Sequence, residues 1–410
     1  MSFGTGLSGL AAAAQDLDVI GNNVANSGTV GFKQSQIQFS DVYANSLSGA
    51  GSSQVGIGTR VAGVAQQFTQ GNITATSNPL DVAINGGGFF RMDNNGTVTY
   101  TRNGQFQLNN AGYIVNAGGD KLTGYTMNGN GVLSTGAPAD LNINTASLPP
   151  KMTSTVNAVL TLNATDTAPT TSTFSPNDPT SYNNATTVSV FDSLGNSHNL
   201  QTYYVTNGAG AWKVYATSDG VPVGYTPPAT PVAVGTLNFS TSGTIASGSP
   251  MTLSVPVTGG AATPLTVSLN YTGTTQYGTA FSVNSLQQNG YTSGQLSGFN
   301  IGSDGTITGN YTNGQTGTLG QVVLANFTDP NGLQSVGNNQ WVNTAASGTP
   351  LVGTPGSSSL GVLQSSATED SNVDLTTELV DMITAQRNYQ ANAQTIKTEE
   401  TNSQTLMNLR

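Results

Sequence analysis

Residues 3–24, FGTGLSGLAAAAQDLDVIGNNV, put Phe3, Leu7, Leu10, Ala14, Leu17, Gly21 and Val24 at alternating steps of four and three. That spacing is the seam of an amphipathic helix that packs on another helix. Ala11 to Ala14 favour the helix, and the glycines at 4, 6 and 9 weaken its first turns. One isolated helix of this length is marginal in water, so it needs a partner. The far end of the chain offers one, the alternative being that each end packs on its own adjacent domain. From Leu375 the same spacing selects Leu379, Met382, Gln386, Tyr389, Ala393 and Ile396, then turns mostly polar through Glu400 and Ser403 to Met407. Asp370 or Ser371 is placed to cap this second helix, and Asp374 and Glu378 suit its first turns. The expected fold is multidomain: paired, coiled-coil-like terminal α-helices carrying nested β-rich outer domains. Two helices cannot cover all of the apolar surface on both, so neighbouring copies are expected to cover the rest.

Composition narrows the chemistry. Across 410 residues there are 20 acidic and 10 basic side chains, a net charge of -10, no cysteine and one histidine, His198. Disulfides, thiolate metal sites and cysteine nucleophiles are thereby excluded. So is a metal site built on several imidazoles. A phosphate-neutralising surface needs clustered cations, so no nucleic-acid partner is expected. With 51 glycines, 17 prolines and 36% hydrophobic residues, the chain reads as folded, turn-rich β structure. The opening Met1-Ser2-Phe3-Gly4-Thr5 lacks a basic segment and a long apolar segment, so no cleaved secretory signal is expected. No apolar run is long enough to span a membrane.

The helical domain is read as 1–24 with 370–410, and the connector as 25–71 with 367–369. Within the connector, Ile37 to Tyr43 alternates imperfectly and residues 61–68 read as a strand. Gly28, Gly31, Gly56 and Gly58 are the candidates for connector flexibility. A first β domain is read over 72–146 with 291–366, starting with the turn signals Asn85-Gly86 and Asn103-Gly104. Inserted into it is an outer β domain, 147–290. Its strand candidates include Val156–Leu162, Leu200–Val205 and Trp212–Ala216.

Catalysis finds little footing. Asp192, Ser193 and Ser197 lie near His198, but no nucleophile-elbow motif surrounds them, and Asp192–Gly195 reads as a β-turn. Gly86-Gly87-Gly88 lacks the strand, phosphate loop and helix of a nucleotide site. No enzymatic activity and no cofactor or metal is expected. Asn22 and Asn23 either solvate the helix end or hydrogen-bond to a neighbouring subunit, and Arg387 is placed to pair with an acid on a neighbouring helix.

Several stretches carry a resemblance. One is Leu17-Asp18-Val19-Ile20-Gly21-Asn22-Asn23-Val24-Ala25-Asn26 with Thr29, Gly31, Phe32 and Lys33. Another is Ser371-Asn372-Val373-Asp374-Leu375 with Glu378-Leu379-Val380 and Ala385-Gln386-Arg387-Asn388-Tyr389-Gln390-Ala391-Asn392-Ala393. Between them stand Asn78-Pro79-Leu80-Asp81-Val82-Ala83-Ile84-Asn85-Gly86 and Tyr100-Thr101-Arg102-Asn103-Gly104. Together these resemble the bacterial flagellar rod, hook and hook-associated family. Room for two β domains favours a hook member over a short rod member.

The resemblance implies a tubular homopolymer, curved and torque-transmitting, with the terminal helices along the inner tube. It implies an extracellular, basal body-associated location reached by flagellar type III export. The implied partners are further copies, the hook cap, the distal rod and the hook–filament junction proteins. The helix-assembly candidates are Leu7, Leu10, Ala14, Leu17, Val24, Leu375, Leu379, Met382, Tyr389, Ala393 and Ile396. A distal rod subunit would share these ends and form a straight tube. An extracellular β-rich adhesin would explain the middle of the chain and leave the ends unexplained.

Overall fold

The computed structural model describes residues 3–42, 56–128, 132–208, 210–224 and 230–408. Tyr43, the end of the imperfectly alternating stretch, lies outside the described residues, as do 409–410. The chain forms two compact units. One is Met1–Thr145, Gly298–Gly309 and Thr316–Arg410; the other is Ala146–Ser297 and Asn310–Gln315. Terminal helices thus flank a multidomain β-rich core.

In the first unit, helix α1 spans Phe3–Ala25. It ends where Asn26 N donates to Asn22 O at 3.1 Å and Thr29 N to Asn26 O at 3.0 Å. Strands β1 (Ser35–Val42) and β2 (Gly58–Gln66) then form an antiparallel ribbon. Its register shifts between Gln38 and Phe39. Opposite the single step from Gln38 to Phe39 the partner strand takes two, so the extra residue is Ala62 on β2.

Three pieces of the first unit bring distant chain together. Strand β3 (Ile73–Ala75) pairs with Ala367–Glu369, and β4 (Val82–Asn85) pairs with Val362–Ser365. Strands β5 (Phe89–Asn94) and β6 (Thr97–Thr101) form a hairpin whose turn places Asn95 and Gly96 at φ 50° and 95°. Lys121–Thr126 flanks β5, and Gln340–Val342 flanks β6. Phe89, Tyr100, Ala325, Phe327 and Trp341 make the core of this module. Phe68, at the end of the connector, packs edge-on to Phe89 and Trp341 with ring centroids 5.5 Å from each.

Helix α2 spans Leu375–Asn408. Its cap is Asp374, whose Oδ1 accepts from Thr376 N at 2.8 Å and Thr377 N at 3.3 Å. Those bonds lower the Asp374 pKa. The expected caps do other work: Asp370 accepts from Thr74 Oγ1 at 2.6 Å, and Ser371 Oγ from Val373 N.

The second unit is two sheets around one core. In the first sheet Thr155–Asn163 pairs parallel with Leu265–Asn270 and Thr275–Tyr277, and antiparallel with Ser282–Gln288. The other is antiparallel throughout, running through Asn184–Phe191, Ser197–Thr206, Ala211–Ser218, Gly235–Phe239 and Ile245–Ser247. Alternating side chains such as Val156, Ala158, Leu160 and Leu162 meet Leu200, Tyr204, Trp212 and Val214 between them. The unit closes on itself at its base, where Leu148 N donates to Gly294 O at 2.7 Å and Lys151 N to Tyr291 O at 3.0 Å.

Candidate assembly surface and the junction beneath it

The two helices pack through small residues. A Cβ built on Gly6 would lie 3.1 Å from Ile396 Cγ1, and one on Gly9 would lie 2.6 Å from Asn392 Oδ1. The buried positions are Gly6, Ala12, Ala13, Ile20 and Asn23 on α1 and Glu378 and Ala385 on α2. The expected leucine seam is therefore not the face that the helices bury against the chain's own elements. Leu7 is 53% exposed, Leu375 46%, Leu379 49% and Tyr389 37%. Leu10, Ala14, Leu17, Val24, Met382, Ala393 and Ile396 are half-buried. The cause is close approach: glycine and alanine let the backbones come together, which turns the larger residues outward. Val380, Ile383, Leu406 and Met407 are exposed on α2 as well.

Beside this pair runs a groove of about 490 Å³ lined by residues that include Gly9, Ala13, Asp16, Phe39 and Asn392. Burial, then the Asp381 carboxylate, raises the Asp16 pKa. Two of the connector glycines are held rather than free. Gly31 has φ 71°, and a Cβ there would lie 2.6 Å from Asn103 N. At Gly58, with φ 136°, it would lie 2.1 Å from Ser8 Oγ. Gly28 has open space around it, and Gly56 is exposed.

At the foot of the helices sits a polar network. Asn23 Nδ2 donates to Glu378 Oε1 at 3.1 Å and to Ser35 O at 2.8 Å, while Ser35 N donates to Asn23 Oδ1 at 2.9 Å. Asn23 is thus engaged within its own chain. Gln34 Nε2 donates to the same Glu378 oxygen at 2.6 Å, and Gln34 N to Asn372 Oδ1 at 2.8 Å.

One residue earlier, Lys33 Nζ lies 2.6 Å from Glu369 Oε1 and donates to Thr69 O at 2.7 Å. Glu369 Oε1 also accepts from Gly71 N at 3.0 Å, and its Oε2 lies 3.2 Å from Arg102 Nη1. Arg102 Nη2 donates to Gly86 O at 2.7 Å, and its guanidinium stands 5.6 Å over the Phe89 ring. The Lys33 and Glu369 side chains are fully buried. Burial lowers the pKa of Lys33 and of Arg102, and the Glu369 carboxylate opposes both shifts. Removing one partner from such a cluster leaves a buried charge uncompensated, at about 3–5 kcal/mol.

Periodicity did not single out Lys33, Gln34, Arg102, Glu369 or Glu378 as a site. Lys33, Arg102 and Glu378 stand inside the family-like stretches; Gln34 and Glu369 lie just outside them and carried no signal.

His198 does not face a nucleophile. Its Nδ1 lies 2.7 Å from Asp219 Oδ2 and its Nε2 3.3 Å from Asp192 Oδ2. Ser193 Oγ instead accepts from Ala262 N at 2.8 Å. Among the described residues, no group of three or more His, Cys, Asp or Glu side chains is placed to hold a metal ion. No helix among them is long and apolar enough to cross a membrane.

Four family models match along the chain. Residues 3–33 match the family model described as flagella basal body rod protein, and 364–409 the flagellar basal body rod FlgEFG protein C-terminal model. Residues 83–158 match the flagellar hook protein FlgE/F/G D1 domain, and 161–291 the flagellar basal body protein FlaE D2 domain. The chain is 46% identical over 414 residues to the flagellar hook protein FlgE of Salmonella typhimurium, covering 100% of both chains. It is 44% identical to that of Escherichia coli, again over 100% of both. The crystal structure of Helicobacter pylori flagellar hook protein FlgE2 shares the fold at a TM-score of 0.52 and 15% identity, covering 71% of this chain and 99% of that one. Matched from end to end at this identity, the chain belongs to the flagellar hook protein FlgE family.

Proposed function

We propose that the chain is a structural subunit of the bacterial flagellar hook, an extracellular, curved tubular homopolymer that transmits torque from rod to filament. In this reading the helices pair in a coiled-coil-like inner layer and the β domains project outward. Leu7, Leu375, Leu379 and Tyr389 meet neighbouring copies, and the half-buried Leu10, Ala14, Leu17, Val24, Met382, Ala393 and Ile396 line the edges of that contact. The observation that carries the reading is the exposed apolar row on both helices of a chain with full-length hook relatives. Covering a leucine contributes about 1.5–3 kcal/mol, so a row of them supports association that an isolated chain cannot satisfy. A contact that repeats without closing builds a helical array rather than a ring. The hook cap, the distal rod and the hook–filament junction proteins are the end partners, and export is by the flagellar type III route.

Purified protein concentrated in buffer and viewed by negative stain tests this. The unaltered chain is expected to form curved tubes. Leu379→Asp is expected to raise the concentration needed for assembly at least about tenfold, which corresponds to about 1.4 kcal/mol, with an unchanged far-ultraviolet spectrum. Gln390→Asp, at an exposed polar position, serves as the control. Straight tubes would favour the distal-rod reading. Persistent monomers of the unaltered chain would sink both.

A further inference from the structure

Lys33 and Gln34 follow one another just before β1, and their side chains reach different carboxylates of the returning chain. One is the buried Glu369, which also holds Arg102 of the β5–β6 module and Gly71 of the connector. The other is Glu378 in the first turn of α2, already held by Asn23 of α1. The two carboxylates sit on the returning chain, before and after the cap of α2, and each takes one side chain of the pair. Backbone groups follow the same division: Gly31 N donates to Glu369 O at 2.8 Å, and Gln34 N to Asn372 Oδ1 at 2.8 Å.

We infer that the dipeptide Lys33–Gln34 is a two-sided clasp that fixes the helix pair to the first β module, with Lys33 and Gln34 as positioning residues for load transfer between them. Four separate stretches of chain converge on it: the end of α1, the connector, the Arg102 turn and the start of α2. The ribbon and helices are already joined by Asn23 and Ser8, through Ser35 and Thr59 N. The step from that body to the β module passes through buried, charge-assisted bonds, which are short, directional and poorly replaced by water. Its mechanical meaning rests on the hook-subunit reading. The joint itself is tested on the monomer, so tube formation by the unaltered chain tests that reading separately.

The chain has no cysteine, so spin labels can be placed on Gln390→Cys and Thr97→Cys, exposed positions on α2 and β6. In the unaltered background their distance distribution is expected to be narrow. Lys33→Met and Gln34→Ala are each expected to broaden it about twofold by freeing a local opening. Arg60→Gln, an exposed cation outside the joint, is expected to leave it unchanged. Equal widths in Lys33→Met, Gln34→Ala and the unaltered chain overturn the inference. Should either variant fail to fold, hydrogen exchange on the unaltered chain decides. Protection of the Gly31, Gln34 and Gly71 amides about 100-fold over exposed loops is expected, and parity with those loops overturns it.

Discussion

His198 shows how much one ionisable side chain contributes in a chain with so few. Burial pulls its pKa down, but hydrogen bonds to Asp219 and Asp192 outweigh burial and raise it above its ordinary 6.5. Burial likewise pushes Asp192 up, and its bonds to Asn196, His198 and Leu194 N outweigh that and hold it down at about 2. A raised histidine stabilises the folded state below its unfolded value and loses that stabilisation as pH climbs through the folded one. A lowered carboxylate contributes above its ordinary 3.8 and loses the contribution as pH falls toward about 2. The melting temperature of the second unit is therefore expected to fall as pH rises above the ordinary histidine value of 6.5. His198→Asn is expected to flatten that slope in a thermal-melt series and to shrink the acid limb without abolishing it, since the Asn196 and Leu194 N bonds to Asp192 remain. The clamp was not legible from sequence, because Asp219 reaches His198 across paired strands, 21 residues away.

At the scale of elements, both terminal helices could be read from residue spacing, and their shared face could not. Reading periodicity ranks positions by apolar size, so it chose Leu7, Leu10 and Leu17. The intramolecular packing uses Gly6, Gly9 and Ala13 because close approach needs absent or short side chains. Ile396, which faces Gly6, belongs to both stripes, since a helix face is wider than one heptad row. Gly6→Leu forces a large side chain into a contact where even a Cβ would lie 3.1 Å from Ile396. It is expected to destabilise the helix pair by about 1–3 kcal/mol, seen as early loss of helical signal in a denaturant titration. Gly28→Ala, with nothing within 4 Å, is the silent comparison. The strands were legible where apolar and polar residues alternate, as in Thr155–Asn163 with its strictly alternating burial. The Lys33–Glu369 pair was not, since 336 residues separate its members and no local pattern links them.

Among the described residues, the main cores of the two units differ in content. One is aromatic, built on Phe89, Tyr100, Phe327 and Trp341; the other is a larger aliphatic core around Trp212, Tyr204 and Tyr271. Separate cores melt as separate cooperative units. Trp212→Ala is expected to cost the second unit about 3–5 kcal/mol, shifting one calorimetric transition and leaving the other in place.

The paired hydrogen bonds between Leu148 and Gly294, N to O in each direction, set how replaceable that second unit is. The chain departs and comes back at neighbouring points, so the host's loop-closure entropy hardly depends on what is strung between them. The position works as a socket: a guest whose two termini lie side by side can be plugged in at little loop-closure cost to the host, provided it also receives the short stretch Asn310–Gln315.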